Sequence, residues 1–193
     1  MTRLWLVRHA PTHAKAAIGW TDIPADTSDS AAFCRLGAVL PPDGIKVSSD
    51  LSRTMATAAL LPGNETLPPR PGLREMHFGT WENRGFDDIS AEDPALAREY
   101  WSNPGDAAPP GGESWNRFQA RIATEISDLC REYTGRDLIV VAHFGVILAA
   151  IAHSAKMDPK AALSFKIDNL SLSRIDHLPG PDAFVIRGVN HTF

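Results

Sequence analysis

The 193-residue sequence predicts a three-layer α/β/α sandwich with a largely parallel sheet and a small cap insertion. Three observations carry that expectation. Apolar runs at residues 4–7 and 138–142 show no polar alternation, as strands buried on both faces do, and Ile45-Lys46-Val47 reads as a further short strand. Helical patterns fall between them, the clearest being Trp115, Phe118, Ile122, Ile126, Leu129 and Tyr133 at steps of three and four. Strands that alternate with helices in this way bury themselves as a parallel sheet between helical layers. The length suits one domain over 1–193, with the insertion at about 81–112.

In chain order, Leu4-Trp5-Leu6-Val7 ends in Arg8 and His9, and Pro11 stops any regular continuation. Residues 10–27, with Pro11, Gly19 and Pro24 among small and polar residues, read as a long loop over that strand end. A short helix is expected over 28–40, capped by Ser28 or Ser30, with Phe33, Leu36 and Leu40 on one face. Pro41-Pro42-Asp43-Gly44 turns the chain into the strand at 45–47. Ser48, Ser49 or Asp50 then caps a helix running to about Leu61, with Leu51, Met55 and Ala58 on one face. Residues 62–72 form a proline-rich connector with room for one short strand. Within 81–112 one helix is expected, at about 95–101. Beyond the helix at 115–133, Gly135 stands where a C-cap glycine belongs. The strand at 138–142 ends at His143, and the apolar stretch 145–153 reads as a buried helix. Strands at 171–177 and 183–189 are joined by a turn through Pro179, Gly180 and Pro181.

A composition of 44% hydrophobic and 22% charged residues is that of an ordinary globular protein. The formal charge of −4 shows no basic bias and speaks against a nucleic-acid partner, so any anion site must be a local cluster of cations. Cys34 and Cys130 form no C-x-x-C spacing and no disulfide framework, which favours a reducing, cytoplasmic compartment. No segment approaches membrane length, and no signal peptide or membrane partner is expected.

Two buried strands end in histidine, His9 and His143, and a third strand end leads into a helix whose first turn carries Arg53. If those strands are neighbours, two imidazoles and the guanidiniums of Arg8 and Arg53 converge on one crevice beyond the carboxyl ends of the sheet. Arginine presents a planar fork that matches phosphate oxygens, and backbone N–H groups at a helix start favour anions too. His9 and His13 are spaced like zinc ligands on a helix, but Pro11 lies between them and no His-Glu-x-x-His occurs, so no metal and no cofactor are expected. No Gly-x-Ser-x-Gly elbow points to a serine hydrolase.

Four stretches in order complete the picture. Leu6-Val7-Arg8-His9-Ala10-Pro11-Thr12 resembles the Arg-His-Gly signature of the histidine phosphatase (phosphoglycerate mutase-like) superfamily. Residues 49–58 (Ser-Asp-Leu-Ser-Arg-Thr-Met-Ala-Thr-Ala) resemble its second arginine motif. Residues 73–82 (Leu-Arg-Glu-Met-His-Phe-Gly-Thr-Trp-Glu) resemble its catalytic-acid loop, and Val141-Ala142-His143-Phe144-Gly145 its second-histidine motif. The resemblance implies a metal-independent phosphomonoesterase acting on a small phosphate ester through a phosphohistidine intermediate. His9 would be the nucleophile and Glu75 the proton donor and later the base. Arg8, Arg53 and His143 would hold phosphate oxygens, with Phe144 among the phosphate-site positions. Ala10, Phe144 and Asn83 stand where the family pattern has glycine, and Pro11 and Lys15 where it has glutamate and, nearby, asparagine. Gly19-Trp20-Thr21-Asp22-Ile23-Pro24 resembles a stretch of the α-ribazole phosphatases, which points to α-ribazole 5′-phosphate. A phosphoglycerate-type mutase and a catalytically silent phospho-ligand binder are the alternatives.

Overall fold

The computed structural model describes residues 1–180 and 183–193. Among them, six strands form one sheet in the order β3-β2-β4-β1-β5-β6. These are β1 (Thr2–Arg8), β2 (Ile45–Ser48), β3 (Glu65–Thr66), β4 (Asp137–Ala142), β5 (Leu172–His177) and β6 (Phe184–His191). The first four pair in parallel, while β5 and β6 close one side antiparallel. The helices are α1 (Ser30–Val39), α2 (Ser52–Ala59), α3 (Phe86–Glu92), α4 (Pro94–Ser102), α5 (Trp115–Glu132), α6 (Phe144–Ala155) and α7 (Pro159–Ala162). The expected turn between the last strands includes Pro181, which lies outside the described residues.

Unbroken apolar runs are explained by burial on both faces. Leu4 and Leu6 of β1, with Leu138 and Val140 of β4, pack against Phe118, Ile122 and Ile126 of α5 and the apolar face of α6. Their alternates Val7, Ile139 and Val141 pack on the other face against Phe33 and Leu36 of α1 and Ala58 of α2. The period-2 geometry of a strand therefore divides one continuous run between two cores, and three layers result. Helices α1 and α6 leave the adjacent ends of β1 and β4 on opposite faces, which opens a crevice between them. Within the described residues no helix is long and apolar enough to cross a membrane.

Several local expectations change. Helix α1 starts at Ser30, and its cap is Asp29, whose carboxylate accepts from Ala32 N at 2.9 Å; neither expected serine takes that role. The start of α2 is capped from a distance. Asp22 in the 10–27 loop accepts from both the backbone N–H (2.8 Å) and the hydroxyl (2.7 Å) of Ser52, while Ser49 and Asp50 are engaged elsewhere. On α2 the buried side chains are Arg53, Thr54, Thr57 and Ala58, and Met55 is exposed, so a polar face rather than an apolar stripe is turned inward. The insertion holds two helices rather than one. Asp93 caps α4 through Leu96 N, and Pro94 occupies its first turn. The seven residues of α3 bury only Ile89, too little to show a period in the sequence. Phe78 and Trp81 pack edge to face against Tyr100 of α4, which meets Trp101 in the same way.

Loss of the α1 cap should be measurable. Asp29→Ala is expected to lower stability in urea by about 1 kcal/mol, and Ser30→Ala by less than about 0.5 kcal/mol. Equal losses would return the cap to the serine.

Candidate active site

At the carboxyl edge of the sheet, β1 and β4 run in register, with Val7 opposite Val141 and Arg8 opposite Ala142. One further rung, His9 N to Ala142 O at 3.0 Å, carries the ladder to the histidine itself. His9 and His143 therefore face each other with ring centroids 5.2 Å apart. The Nδ1–H of His9 donates to the Ala10 carbonyl at 2.7 Å, which leaves Nε2 with its lone pair. The backbone of this turn is held from both sides, by Thr57 Oγ1 on Ala10 N–H (3.0 Å) and by Asn169 Nδ2 on the His9 carbonyl (2.8 Å). Ala10 is not among the residues with positive φ, so it carries no strain there. Asn83 does adopt φ +59°, a left-handed conformation that asparagine tolerates.

Arg53 is almost wholly buried. Its Nε donates to His143 Nδ1 at 3.2 Å, Nη1 to the Thr21 carbonyl at 2.9 Å and Nη2 to the Gly19 carbonyl at 2.6 Å. A guanidinium can only donate, so His143 Nδ1 must accept and the ring proton sits on Nε2. From there it donates to Ser49 Oγ at 2.8 Å. The Ser49 hydroxyl passes on to Thr54 Oγ1 at 2.8 Å, and Thr54 ends the chain on the Leu51 carbonyl. Both nitrogens of His143 are thus spent on the protein. Arg8 donates Nη1 to the Ile167 carbonyl at 2.6 Å and lies 5.4 Å from the Phe144 ring centroid.

Glu75 completes the group. Its carboxyl oxygens accept from Met76 N (2.9 Å) and Gly145 N (3.0 Å). A Cβ on residue 145 would run into this carboxyl, so glycine is required there for the close approach. The Glu75 carbonyl is held by Trp20 Nε1 at 2.9 Å and Arg121 Nη2 at 3.2 Å.

Burial dominates the electrostatics. It pushes the Glu75 carboxyl above its usual range, against the pull of the Gly145 and Met76 N–H groups and of both arginines. Burial also lowers the His9 imidazole to about 3; the Ala10 hydrogen bond opposes this, and Arg53 and Arg8 add to it. His143 is held well below its ordinary value by burial and then by Arg53. The site thus sets neutral imidazoles, and a carboxyl that burial biases towards its protonated form, beside two permanent cations.

Arg8, His9, Arg53, Glu75 and Phe144 line one cleft, and fully buried His143 stands behind them. Lys15 is exposed and His77 stacks on Trp20 at 4.5 Å; neither lines that cleft. A second, apolar pocket adjoins on the Glu75 side, walled by Phe78, Tyr100, Trp101, Trp115 and Phe144. No group of three or more His, Cys, Asp or Glu side chains among the described residues is placed to hold a metal ion. Sequence reasoning missed Ser49, Thr57, Asn169 and Arg121, polar residues whose partners lie far along the chain.

The two ring tautomers are directly observable. Nitrogen-15 spectra at pH 5.5 should show both rings neutral, His9 with its proton on Nδ1 and His143 on Nε2. The unfolded chain binds a proton at His9 near 6.5 and the folded one only near 3. The site's stabilising share is therefore complete above about pH 6.5 and declines as the pH falls towards 3. An imidazolium signal from either ring at pH 5.5 would contradict this arrangement.

The match to the family model for the histidine phosphatase superfamily (branch 1) spans residues 4–192. The chain is 31% identical over 186 residues to the adenosylcobalamin/alpha-ribazole phosphatase of Salmonella typhimurium, covering 92% of each. It is 27% identical over 190 residues to a probable phosphoglycerate mutase GpmB of Serratia proteamaculans, covering 94% of this chain and 87% of that one. The solved structure of a putative alpha-ribazole-5′-P phosphatase from Escherichia coli superposes with a TM-score of 0.83 at 29% identity, covering 98% of this chain and 96% of that one. With its two histidines and buried arginine already gathered at one sheet edge, the chain belongs to the histidine phosphatase superfamily, branch 1.

Proposed function

We propose that this protein hydrolyses small phosphate monoesters by transfer of the phosphoryl group first to His9 and then to water. The observation that carries this reading is the cleft itself. A neutral His9, its Nε2 free, stands beside Arg8 and Arg53, and a carboxyl whose proton affinity burial raises lines the same cleft. In the first step the Nε2 lone pair attacks phosphorus, the P–O ester bond breaks, and the Glu75 proton passes to the leaving oxygen. In the second step water attacks the phosphohistidine, Glu75 takes the water proton, the P–N bond breaks, and His9 is restored. Arg8 and Arg53 hold the non-bridging oxygens as their charge redistributes. In the empty site His143 acts by holding the Arg53 Nε–H.

The leaving group would enter the adjoining pocket, whose walls are aromatic and whose lining includes no cation among the described residues. Such walls favour an ester with a planar apolar group and offer nothing to a second phosphate or a carboxylate. This supports α-ribazole 5′-phosphate, with its aromatic base, over phosphoglycerate, in agreement with the names borne by relatives about 30% identical. Cytoplasmic action on a small metabolite, without a nucleic-acid or membrane partner, fits the composition.

Two measurements test the reading. With EDTA present, the protein should release phosphate from α-ribazole 5′-phosphate with a higher kcat/KM than from 3-phosphoglycerate, and should not isomerise the latter. Loss of activity with chelator and recovery with zinc or manganese, or preferential mutase turnover, would overturn it. Glu75→Gln should separate leaving groups. An alkyl ester needs the proton and should slow by about 10²–10⁴-fold. A nitrophenyl ester should still give a nitrophenolate burst near one equivalent, followed by slow turnover, with acid-labile phosphate on His9. Equal slowing of both substrates without a burst would remove Glu75 from the mechanism.

A further inference from the structure

Glu82 stands just beyond the 3-10 turn Gly79–Trp81, and it is not a wall of the phosphate cleft. Its carboxylate nevertheless gathers five donors. Oε1 accepts from Trp20 N at 2.7 Å and Phe78 N at 3.0 Å. Oε2 accepts from Gly19 N at 3.1 Å, Thr21 N at 3.0 Å and Thr21 Oγ1 at 2.6 Å. Three successive backbone N–H groups thus form an anion nest around one side chain. Burial pushes this carboxyl up, but the Thr21 hydroxyl and the N–H groups of Trp20, Phe78 and Thr21 outweigh it and hold it below its ordinary value.

The opposite side of the same loop faces Arg53. The carbonyls of Gly19 and Thr21 are the groups that receive its two terminal nitrogens. One peptide unit does both jobs at once: between Gly19 and Trp20, the N–H lies on Glu82 at 2.7 Å and the C=O on Arg53 at 2.6 Å. A carboxylate on the N–H end of a peptide polarises its carbonyl, so the bond to the guanidinium is strengthened. The fit is tight, since a Cβ on residue 19 would collide with the Met76 carbonyl and with Glu82. The same loop, through Trp20 Nε1, holds the Glu75 carbonyl.

We propose that Glu82 is a positioning residue for Arg53: across the Gly19–Thr21 loop it holds the guanidinium in one orientation, with an N–H left on each terminal nitrogen for phosphate. This rests on the phosphatase reading of the cleft. The carboxylate acts as a counterion separated from its cation by a peptide. Arg53 is thereby oriented without a carboxylate in contact with it that would compete with a phosphate dianion.

Calorimetric binding of inorganic phosphate to the whole protein tests the link, in a cycle of wild type, Glu82→Gln, Arg53→Lys and the double variant. Glu82→Gln should weaken phosphate about tenfold when Arg53 is present, and less than about twofold when lysine replaces it, since the two residues act as one unit. Equal weakening in both backgrounds, or none in either, would overturn the proposal and reduce Glu82 to a loop anchor. If Arg53→Lys does not fold, nitrogen-15 exchange of the Arg53 Nε–H decides. It should quicken in Glu82→Gln while the His9 tautomer is unchanged, and an unaltered rate would refute the link. A wild-type protein that failed to bind phosphate would overturn the phosphatase reading itself, an outcome distinct from failure of the cycle.

Discussion

The parallel ladder between β1 and β4 is the constraint on which the rest of the molecule depends. Its register ends both strands at one level, so each strand delivers a histidine to the same point in space. A slip of one residue would exchange the faces of every side chain in the strand. Here that is prohibited twice over, because Leu4 and Leu6 are committed to one core while Val7 is committed to the other. The same two-sided burial that makes the strands featureless in pattern makes their pairing unambiguous in space.

The charged groups at that edge are gathered around one largely buried cluster. Arginine cannot give up its proton, so when two guanidiniums are buried with two imidazoles and a carboxyl, the adjustable groups yield. Both histidines stay neutral and the Glu75 carboxyl is pushed towards holding its proton. The cost of burying Arg53 is offset by two backbone carbonyls and the His143 ring rather than by a carboxylate in contact. What remains is a pair of guanidiniums with no carboxylate among the described residues bonded to either, in a cleft also lined by His9 and Glu75, an environment suited to an anion.

Much of this was legible from residues alone. The histidines at strand ends, Arg53 in the first turn of a helix and Glu75 in its loop were all recognisable, because each belongs to a short contiguous motif. The α5 helix was equally plain, its apolar face being long and regular. Legibility failed where a role depended on a distant partner. Asp22 caps α2 from 30 positions away in sequence, and Ser49 acquires its meaning only through His143, 94 positions on. The inward face of α2 misled for a related reason: it buries Arg53, Thr54 and Thr57, which look like surface residues until the site they serve is in view.

By itself the sequence determined the layered class, the order of its major elements and the titratable groups that meet at the candidate site. These follow from local periodicity and from residue chemistry, which a chain carries wherever it lies. Only the tertiary structure decided which nitrogen of each histidine carries the proton, which side of the 19–21 loop meets Glu82 and which meets Arg53, and that aromatic rings wall the pocket beside Glu75. Those are matters of direction. A hydrogen bond or a ring face has an orientation that exists only once two remote segments are fixed against each other by burial.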